Sequence, residues 1–344
     1  MVDFKVSIII PHHNNFDILN ECINSLKKIS YPNTEIIIID NNSTDDSINQ
    51  IKNSYNDLII KKSEKNLGYA GGCNLGASVS SGSYLLFLNN DTIHKTDFLN
   101  HLIDKITNND SIACVQPKIK NYDNKDFFDY AGASGGFIDY LVFPFSRGRI
   151  FNTIEKDKGQ YNNSIKVFWT SGTAFITKKE IFDKVGGFDE SFFAHMEEID
   201  YCWKCNLSGF ECWVEPRSVI YHHGGKTLSY DSPKKTYFNH KNSIILLLSN
   251  YSLGLSLYLL PLRLFLEIIS SLNDLLKLRL GHFIAHYISL ISVLLNLFNI
   301  YKRRKNINKL RINDDKFIFD QNIILNESVV KKYFLFRNKT YNNY

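Results

Sequence analysis

The sequence predicts an α/β fold in which a mostly parallel central sheet carries helices on both faces, with a helical region at the C-terminal end. Three observations carry this. Residues 5–10, 35–40 and 83–88 are short β-branched or apolar runs, each stopping abruptly in a polar loop, as buried strands do. Between them apolar residues recur at helical spacing, as at Phe16, Leu19, Ile23 and Leu26. Such strand–helix alternation favours parallel pairing with both sheet faces covered.

Taken in order, Pro11 ends the first strand and His12-His13-Asn14-Asn15 forms the loop beyond it. A helix follows, and Tyr31-Pro32-Asn33 turns the chain into the second strand. Residues 41–46 read as loop and helix cap. A short strand at 58–61 precedes a glycine-rich run, 65–76, read as a turn, and a helix then leads to the strand at 83–88. A helix at 97–106 and a strand at 112–116 come next. Residues 119–168 read as an irregular or hairpin insertion, of the sort that carries specificity in α/β domains. Strand resumes over 167–176, interrupted at Ser171-Gly172-Thr173, and a short helix at 178–185 closes on Gly186-Gly187. A helix from near Glu197 to Gly209 precedes extended segments at 212–216 and 219–221, with His222-His223 in the loop after them.

The tail changes character. Residues 244–262 and 280–301 each hold about twenty residues without a formal charge, close to a membrane span in length. Two spans would put Arg263, Lys277 and Arg279 outside, against the positive-inside tendency. The segments are therefore read as helices lying in the cytoplasmic membrane interface, with Lys302-Arg303-Arg304-Lys305 drawn to anionic headgroups. The expected organisation is a catalytic domain at 1–239, split into a nucleotide-binding half (1–117) and an acceptor half (118–239). A membrane-associating region at 240–305 and a tail at 306–344 follow.

Composition excludes several classes. A net charge of +5 over 344 residues is mild and calls for no nucleic acid. Six scattered cysteines make no disulfide framework and point to a reducing compartment. Cys202 and Cys205 have redox or zinc spacing, but they fall inside a helix without a second pair and read as packed residues. The first apolar run is too short for a signal peptide, so the chain is expected to begin in the cytoplasm.

Asn89-Asn90-Asp91, closing the third strand, offers oxygen ligands to a hard cation, or else a turn. His222 or His223 is the candidate second ligand. Glu197, Glu198 and Asp200 crowd a helix start, where they either stabilise the helix dipole or supply a general base whose pKa its neighbours raise. Helical spacing puts Glu197 and Asp200 on one face and Glu198 on another. Polar clusters at 12–14, 40–42 and 66–74 follow strands or lie in turns beside them, and a parallel sheet gathers such loops on one edge. The glycines at 68, 71, 72 and 76 form neither a P-loop nor a dinucleotide fingerprint.

Six ordered motifs over residues 5–226 resemble the family 2 glycosyltransferases, inverting enzymes of the GT-A fold, and in particular their bacterial rhamnosyltransferase-like branch. They are Val6-Ser7-Ile8-Ile9-Ile10-Pro11, Ile39-Asp40-Asn41-Asn42-Ser43-Thr44-Asp45, Asn66-Leu67-Gly68-Tyr69-Ala70-Gly71-Gly72-Cys73-Asn74, Leu88-Asn89-Asn90-Asp91, Gly186-Gly187-Phe188-Asp189-Glu190 running on to Glu197-Glu198-Ile199-Asp200, and Tyr221-His222-His223-Gly224-Gly225. The resemblance implies transfer of a sugar, rhamnose being one candidate, from a dTDP- or UDP-linked donor to a glycan or lipid-linked acceptor in surface polysaccharide synthesis. It implies Mg2+ or Mn2+ on Asp91 and His222, and Glu198 as base with Glu197 beside it. Donor contacts fall to Pro11, His13, Asn14, Asp40, Asn41, Asn66, Gly72 and Asn90, with His13 stacking on the base. Acceptor contacts fall to Gly172, Thr173, Phe193 and Asp200. Asn89 stands where the family's metal motif has its first acid. A nucleotidyltransferase and a catalytically inactive nucleotide-sugar-binding protein are the alternatives.

Overall fold

The computed structural model describes residues 4–224 and 232–344, so Gly225 of the last motif lies outside the described residues. The first half contains β1 (Val6–His12), α1 (Phe16–Leu26), β2 (Thr34–Asp40), α2 (Ser47–Ser54), β3 (Ile59–Lys62), α3 (Gly68–Val79) and β4 (Tyr84–Leu88). β5 (Thr92–His94), α4 (Phe98–Thr107) and β6 (Ile112–Asn121) lead into the insertion, which holds β7 (Gly136–Asp139), β8 (Pro144–Ser146), β9 (Arg149–Ile150) and β10 (Thr153–Ile154). The domain closes with β11 (Ile165–Val167), β12 (Ala174–Lys178), α5 (Lys179–Lys184), α6 (Glu197–Leu207) and β13 (Glu211–His222). The C-terminal region is α7 (Pro233–Asn250), α8 (Leu253–Leu276), α9 (Leu280–Leu295), α10 (Leu297–Leu310), α11 (Asp315–Asp320), β14 (Ile324–Leu325) and α12 (Val329–Phe334).

The central sheet runs β11-β13-β6-β12-β4-β1-β2-β3, with β5 paired to β13. The β3-β2-β1-β4 half is parallel throughout. β12 is antiparallel to both β4 and β6, while β6 and β13 run parallel. The isoleucines explain the sandwich: Ile8 and Ile10 face one core, Ile9 the other, the period-two alternation of a strand covered on both sides.

Three expectations change. The glycine run is not a turn, because α3 begins at Gly68 and continues through it. A Cβ on Gly76 would come within 2.3 Å of Ile9 Cγ2, and one on Gly72 within 3.1 Å of Pro11 Cβ. These glycines let the helix seat on β1. The domain boundaries change as well: the insertion takes its hairpin reading, with β10-β9-β8-β7 in a second sheet, and the C-terminal β14 completes that sheet by pairing with β7. Residues 306–344 thus build back onto the 118–239 half, and a boundary at 239/240 falls within α7.

The third change concerns the tail. The 244–262 segment is broken at Tyr251–Ser252, between α7 and α8. α8 buries Ser256, Arg263, Glu267, Ser271 and Asp274, yet exposes Leu257, Tyr258, Phe265, Ile268, Leu272 and Leu276. α9 likewise buries His282, His286 and Ser289 while exposing Ile284, Ile288, Ile291 and Leu295. This inverts the pattern of a helix packed in water. The basic cluster divides. Arg304 turns inward to the Leu248 and Tyr251 carbonyls at 2.8 and 2.7 Å, and Arg303 turns inward to Asp189 and Asp200. Lys302 and Lys305 lie over the Phe298 and Tyr301 rings, so only these two lysines of the four remain for headgroups.

Candidate active site

β1 leads outward to β2 and β3, and the chain returns on β1's other side as β4. Loops leaving the ends of β1 and β4 therefore diverge, and a crevice opens where α/β sheets hold ligands. A cleft of about 1310 Å³ occupies it, walled by Pro11, His13, Asn90 and Asp91 from these two strand ends, and by His222, Glu197 and Glu198.

Asp91 and His222 meet in the cleft wall. Asp91 Oδ1 lies 3.1 Å from His222 Nε2, and His222 Nδ1 lies 2.8 Å from Asp129 Oδ1. Burial opposes the charge on Asp91, but His222 outweighs it and holds the carboxyl below its ordinary value. Burial also opposes charging His222, yet Asp91 and Asp129 lift it to about 10. The pair fits a small divalent cation on two counts. Asp91 Oδ1 is buried with no hydrogen bond among the described residues beyond its contact with His222 Nε2. Its distance to Nε2 matches two adjacent ligands of an octahedral ion bound at 2.0–2.1 Å, which are about 3 Å apart. Asp129 orients the imidazole from behind, as carboxylates do for ligating histidines, and a cation held there would take the place of the imidazole proton.

The carboxylate pair sits in the first turn of α6. His195 and Met196, at φ 68° and 75°, turn the chain sharply just before it, so both Glu197 and Glu198 reach the cleft. Burial and the charge of Glu198 hold Glu197 protonated well above the carboxylate range. Burial pushes Glu198 up to about 7. The Gly172 backbone opposes that rise, and the Tyr69 hydroxyl donates to the Gly172 carbonyl. Gly172, Thr173 and Phe193 line the same cleft.

Asp200 is a correction. It is fully buried outside the cleft, held by Arg303 and by Asn250 Nδ2 at 3.0 Å. Although Asp200 shares the first turn of α6 with the two glutamates, its side chain faces the packed C-terminal helices through Arg303 and Asn250. Those helices also hold the loop before α6: Asn242 Nδ2 donates to the Ala194 and His195 carbonyls at 3.1 and 2.7 Å, and Arg303 pairs with Asp189. Arg303→Ala removes the closer of the two cations on buried Asp200, leaving Lys204 Nζ at 3.6 Å, a loss of about 1–3 kcal/mol, to be read from urea unfolding. A change under about 1 kcal/mol defeats the assignment.

On the donor side, Pro11, His13, Asn41, Asn66 and Asn90 line the cleft, and Asn14, Asp40 and Gly72 do not. Asp40 Oδ1 accepts from the Ser43 amide at 2.8 Å, and Asn14 Oδ1 from the Thr44 amide at 2.7 Å, so both shape the loops after β1 and β2. Gly72 packs α3 against Pro11. Asn41 is largely committed to the same framework, donating to the Gly68 carbonyl and accepting from the Leu67 amide. His12, passed over for His13, holds Asn90 through Nδ1 at 2.9 Å and is kept neutral by burial, its pKa about 4. Asp129, Arg149 and Lys235 carried no local signal. The two cations sit over the Tyr130 ring at 4.5 and 4.6 Å, inside the cleft.

Comparison with known proteins agrees with this architecture. The family model described as "Glycosyl transferase family 2" matches residues 7–186, over half of the chain. The glycosyltransferase GlyG of Streptococcus pneumoniae is 28% identical over 184 residues, covering 52% of this chain and 58% of that protein. The O-antigen biosynthesis protein RfbC of Myxococcus xanthus is 26% identical over 249 residues, covering 68% of this chain but 18% of that protein. The chain thus spans less than two thirds of either relative. The N-acetylglucosaminyl-diphospho-decaprenol L-rhamnosyltransferase of Mycobacterium tuberculosis is 22% identical, covering 63% of this chain and 75% of that protein. Among solved structures, GalNAc-T7 with UDP, GalNAc and Mn2+ aligns at TM-score 0.56 and 17% identity, covering 72% of this chain and 48% of that one. The mannosyltransferase PcManGT from Pyrobaculum calidifontis, with GDP-Man and Mn2+, aligns at TM-score 0.51 and 13% identity, covering 86% and 88%. The fold is GT-A, and the chain belongs to glycosyl transferase family 2.

Proposed function

We propose that the protein transfers a sugar from a nucleoside-diphosphate donor to a hydroxyl of a lipid-linked glycan, with inversion, at the inner face of the cytoplasmic membrane. The observation that carries this reading is the pair of buried Glu197 and half-buried Glu198 in one cleft with Asp91 and His222. Each glutamate has an Oε2 without a hydrogen-bond partner among the described residues, a costly arrangement unless a ligand uses it. An inactive binding protein has no need of it.

Glu198 takes the acceptor hydroxyl proton as that oxygen forms its bond to the anomeric carbon. The bond from that carbon to the diphosphate oxygen breaks on the opposite face, which inverts the centre. Glu197, kept protonated beside it, leaves Glu198 as the carboxylate that ionises near neutrality. The Gly172 backbone steadies the base. His13 at the rim stacks on the nucleobase, and Asn66 contacts the nucleoside. Arg149 and Lys235 supply positive charge for phosphate. A divalent cation on Asp91 and His222, when bound, offsets the charge of the leaving diphosphate. Mn2+ in the two structural neighbours supports the cation, and their UDP and GDP-Man support the donor class. Purified protein offered a panel of nucleotide sugars with Mn2+ or Mg2+ should release nucleoside diphosphate from one of them, a dTDP- or UDP-sugar, in the presence of acceptor. Nucleoside monophosphate and pyrophosphate as products would favour a nucleotidyltransferase.

The lipid-linked acceptor and the membrane rest on a second observation. Leu262, Phe265 and Ile269 line the far end of the cleft and also belong to the exposed apolar face of α8. An acyl or polyprenyl chain can therefore pass from lipid into the cleft without crossing water. α8 is long and apolar enough to cross a membrane; its buried polar side, packed on the catalytic domain, favours a helix lying in the interface. Leu276 and Leu295 are 85% and 80% exposed. Burying each in lipid contributes about 1.5–3 kcal/mol, so Leu276→Glu with Leu295→Glu should lower vesicle binding at least about tenfold in sedimentation. Undiminished sedimentation would remove the membrane from the proposal.

A further inference from the structure

We propose that His240, Glu267 and His286 form a second divalent-cation site, of the zinc class, where α7, α8 and α9 meet. None of its ligands is shared with Asp91 or His222, and the inference does not depend on sugar transfer.

The donor set is two imidazoles and a carboxylate converging from three helices, with their ligand atoms all within 4.8 Å of one another. Glu267 Oε2 lies 3.3 Å from His286 Nδ1 and 2.6 Å from His240 Nδ1. Ligands of a tetrahedral zinc at 2.0–2.1 Å are about 3.3 Å apart. The His286 edge already has that length, and His240 must retreat by several tenths of an ångström. It is the ligand free to do so: its side chain is 20% exposed, against 1% for Glu267 and 2% for His286.

The surroundings are those of a built ligand set. His286 turns its other nitrogen to Asp274 Oδ2 at 3.2 Å, the carboxylate–histidine arrangement that fixes a metal-binding tautomer and that Asp129 provides for His222. Arg263 grips the opposite oxygen of Glu267, with Nε at 3.0 Å and a terminal nitrogen at 2.6 Å, so Oε2 is held toward the two rings. This guanidinium already balances Glu267, and the charge of Glu267 alone gives no reason for two histidines on the same oxygen. Imidazole with carboxylate is a borderline donor set, suited to zinc, cobalt or iron(II) rather than magnesium. His240 and Glu267 line the cleft, which gives the ion an entry path and leaves its fourth position to water. An ion there would clamp together the three helices whose polar faces point inward.

The test uses full-length protein stripped by chelator and titrated with Co2+, then Zn2+. Wild type and Asp91→Asn should each take up one equivalent of cobalt that shows the visible band of a four-coordinate ion, separate from any ion on Asp91 and His222, and zinc should displace it. His240→Gln, at the most exposed ligand, should weaken binding at least about a hundredfold. Asp274→Asn, outside the ligand set, should weaken it about 10–100-fold. Absence of the four-coordinate band in wild type would overturn the proposal, with the histidines then donating hydrogen bonds to Glu267. So would binding lost in Asp91→Asn but kept in His240→Gln, or binding in both His240→Gln and Asp274→Asn as tight as in wild type.

Discussion

Glu198→Gln is expected to lower kcat on the order of a hundredfold or more while leaving the donor dissociation constant nearly unchanged. Glutamine keeps the shape but cannot act as a base. The pH profile supplies an independent sign. Glu198 works as a carboxylate and burial pushes it to about 7, so wild-type kcat should fall about tenfold per pH unit below that point. The Glu198→Gln profile should lose this limb. Stability should move the opposite way. A carboxyl whose folded pKa is raised favours folding most when protonated, and that contribution is lost as pH rises from its unfolded value toward about 7. Glu198→Gln should therefore be the more heat-stable protein above pH 7. Unchanged kcat at pH 7.5 in Glu198→Gln would pass the base role to Glu197.

Asp91→Asn should be the more damaging change. It removes the single carboxylate that the β4 end contributes, since Asn89 stands where a second acid is usual in the family. A bound cation offsets several kcal/mol of developing charge, so kcat/KM should drop by about three orders of magnitude. Donor binding measured by calorimetry should also lose its dependence on Mn2+. If Asp91→Asn retains both rate and metal dependence, the assignment of Asp91 and His222 fails, whatever becomes of Glu198.

Residues whose meaning is local were readable from the chain. β1, β2 and β4 are uninterrupted apolar runs ending in polar residues, and Asp91 and the Glu197–Glu198 pair stand at element ends where any packing of the sheet brings them near the crevice. Where distant groups compete, reading failed. Asp200 shares a helical face with Glu197 by spacing alone, but Arg303, about a hundred residues on, draws it out of the site. The glycines of α3 have the composition of a turn, and only the approach of Ile9 and Pro11 accounts for them in a helix. Asp129, within an insertion that looked irregular, has no signal in sequence because its role is a contact with His222 across 93 positions.

The tail divides in the same way. Runs of about twenty uncharged residues were enough to predict apolar helices, though not their breaks at Tyr251–Ser252 and Asn296, because length and composition are properties of a segment. Which way those helices face is not. Nothing local marks Arg263, Glu267 and Asp274 as inward-facing, yet tertiary contacts pair Arg263 with Glu267, set Asp274 against His286, and turn all three inward. Sequence alone determined the α/β order, the strand ends that carry chemistry and the apolar character of the last third. The tertiary structure decided which carboxylates share the cleft, what orients His222, and that the C-terminal helices hold the loop before α6. A burial pattern follows from a run of neighbours, whereas the partner of a charge depends on what the whole chain brings beside it.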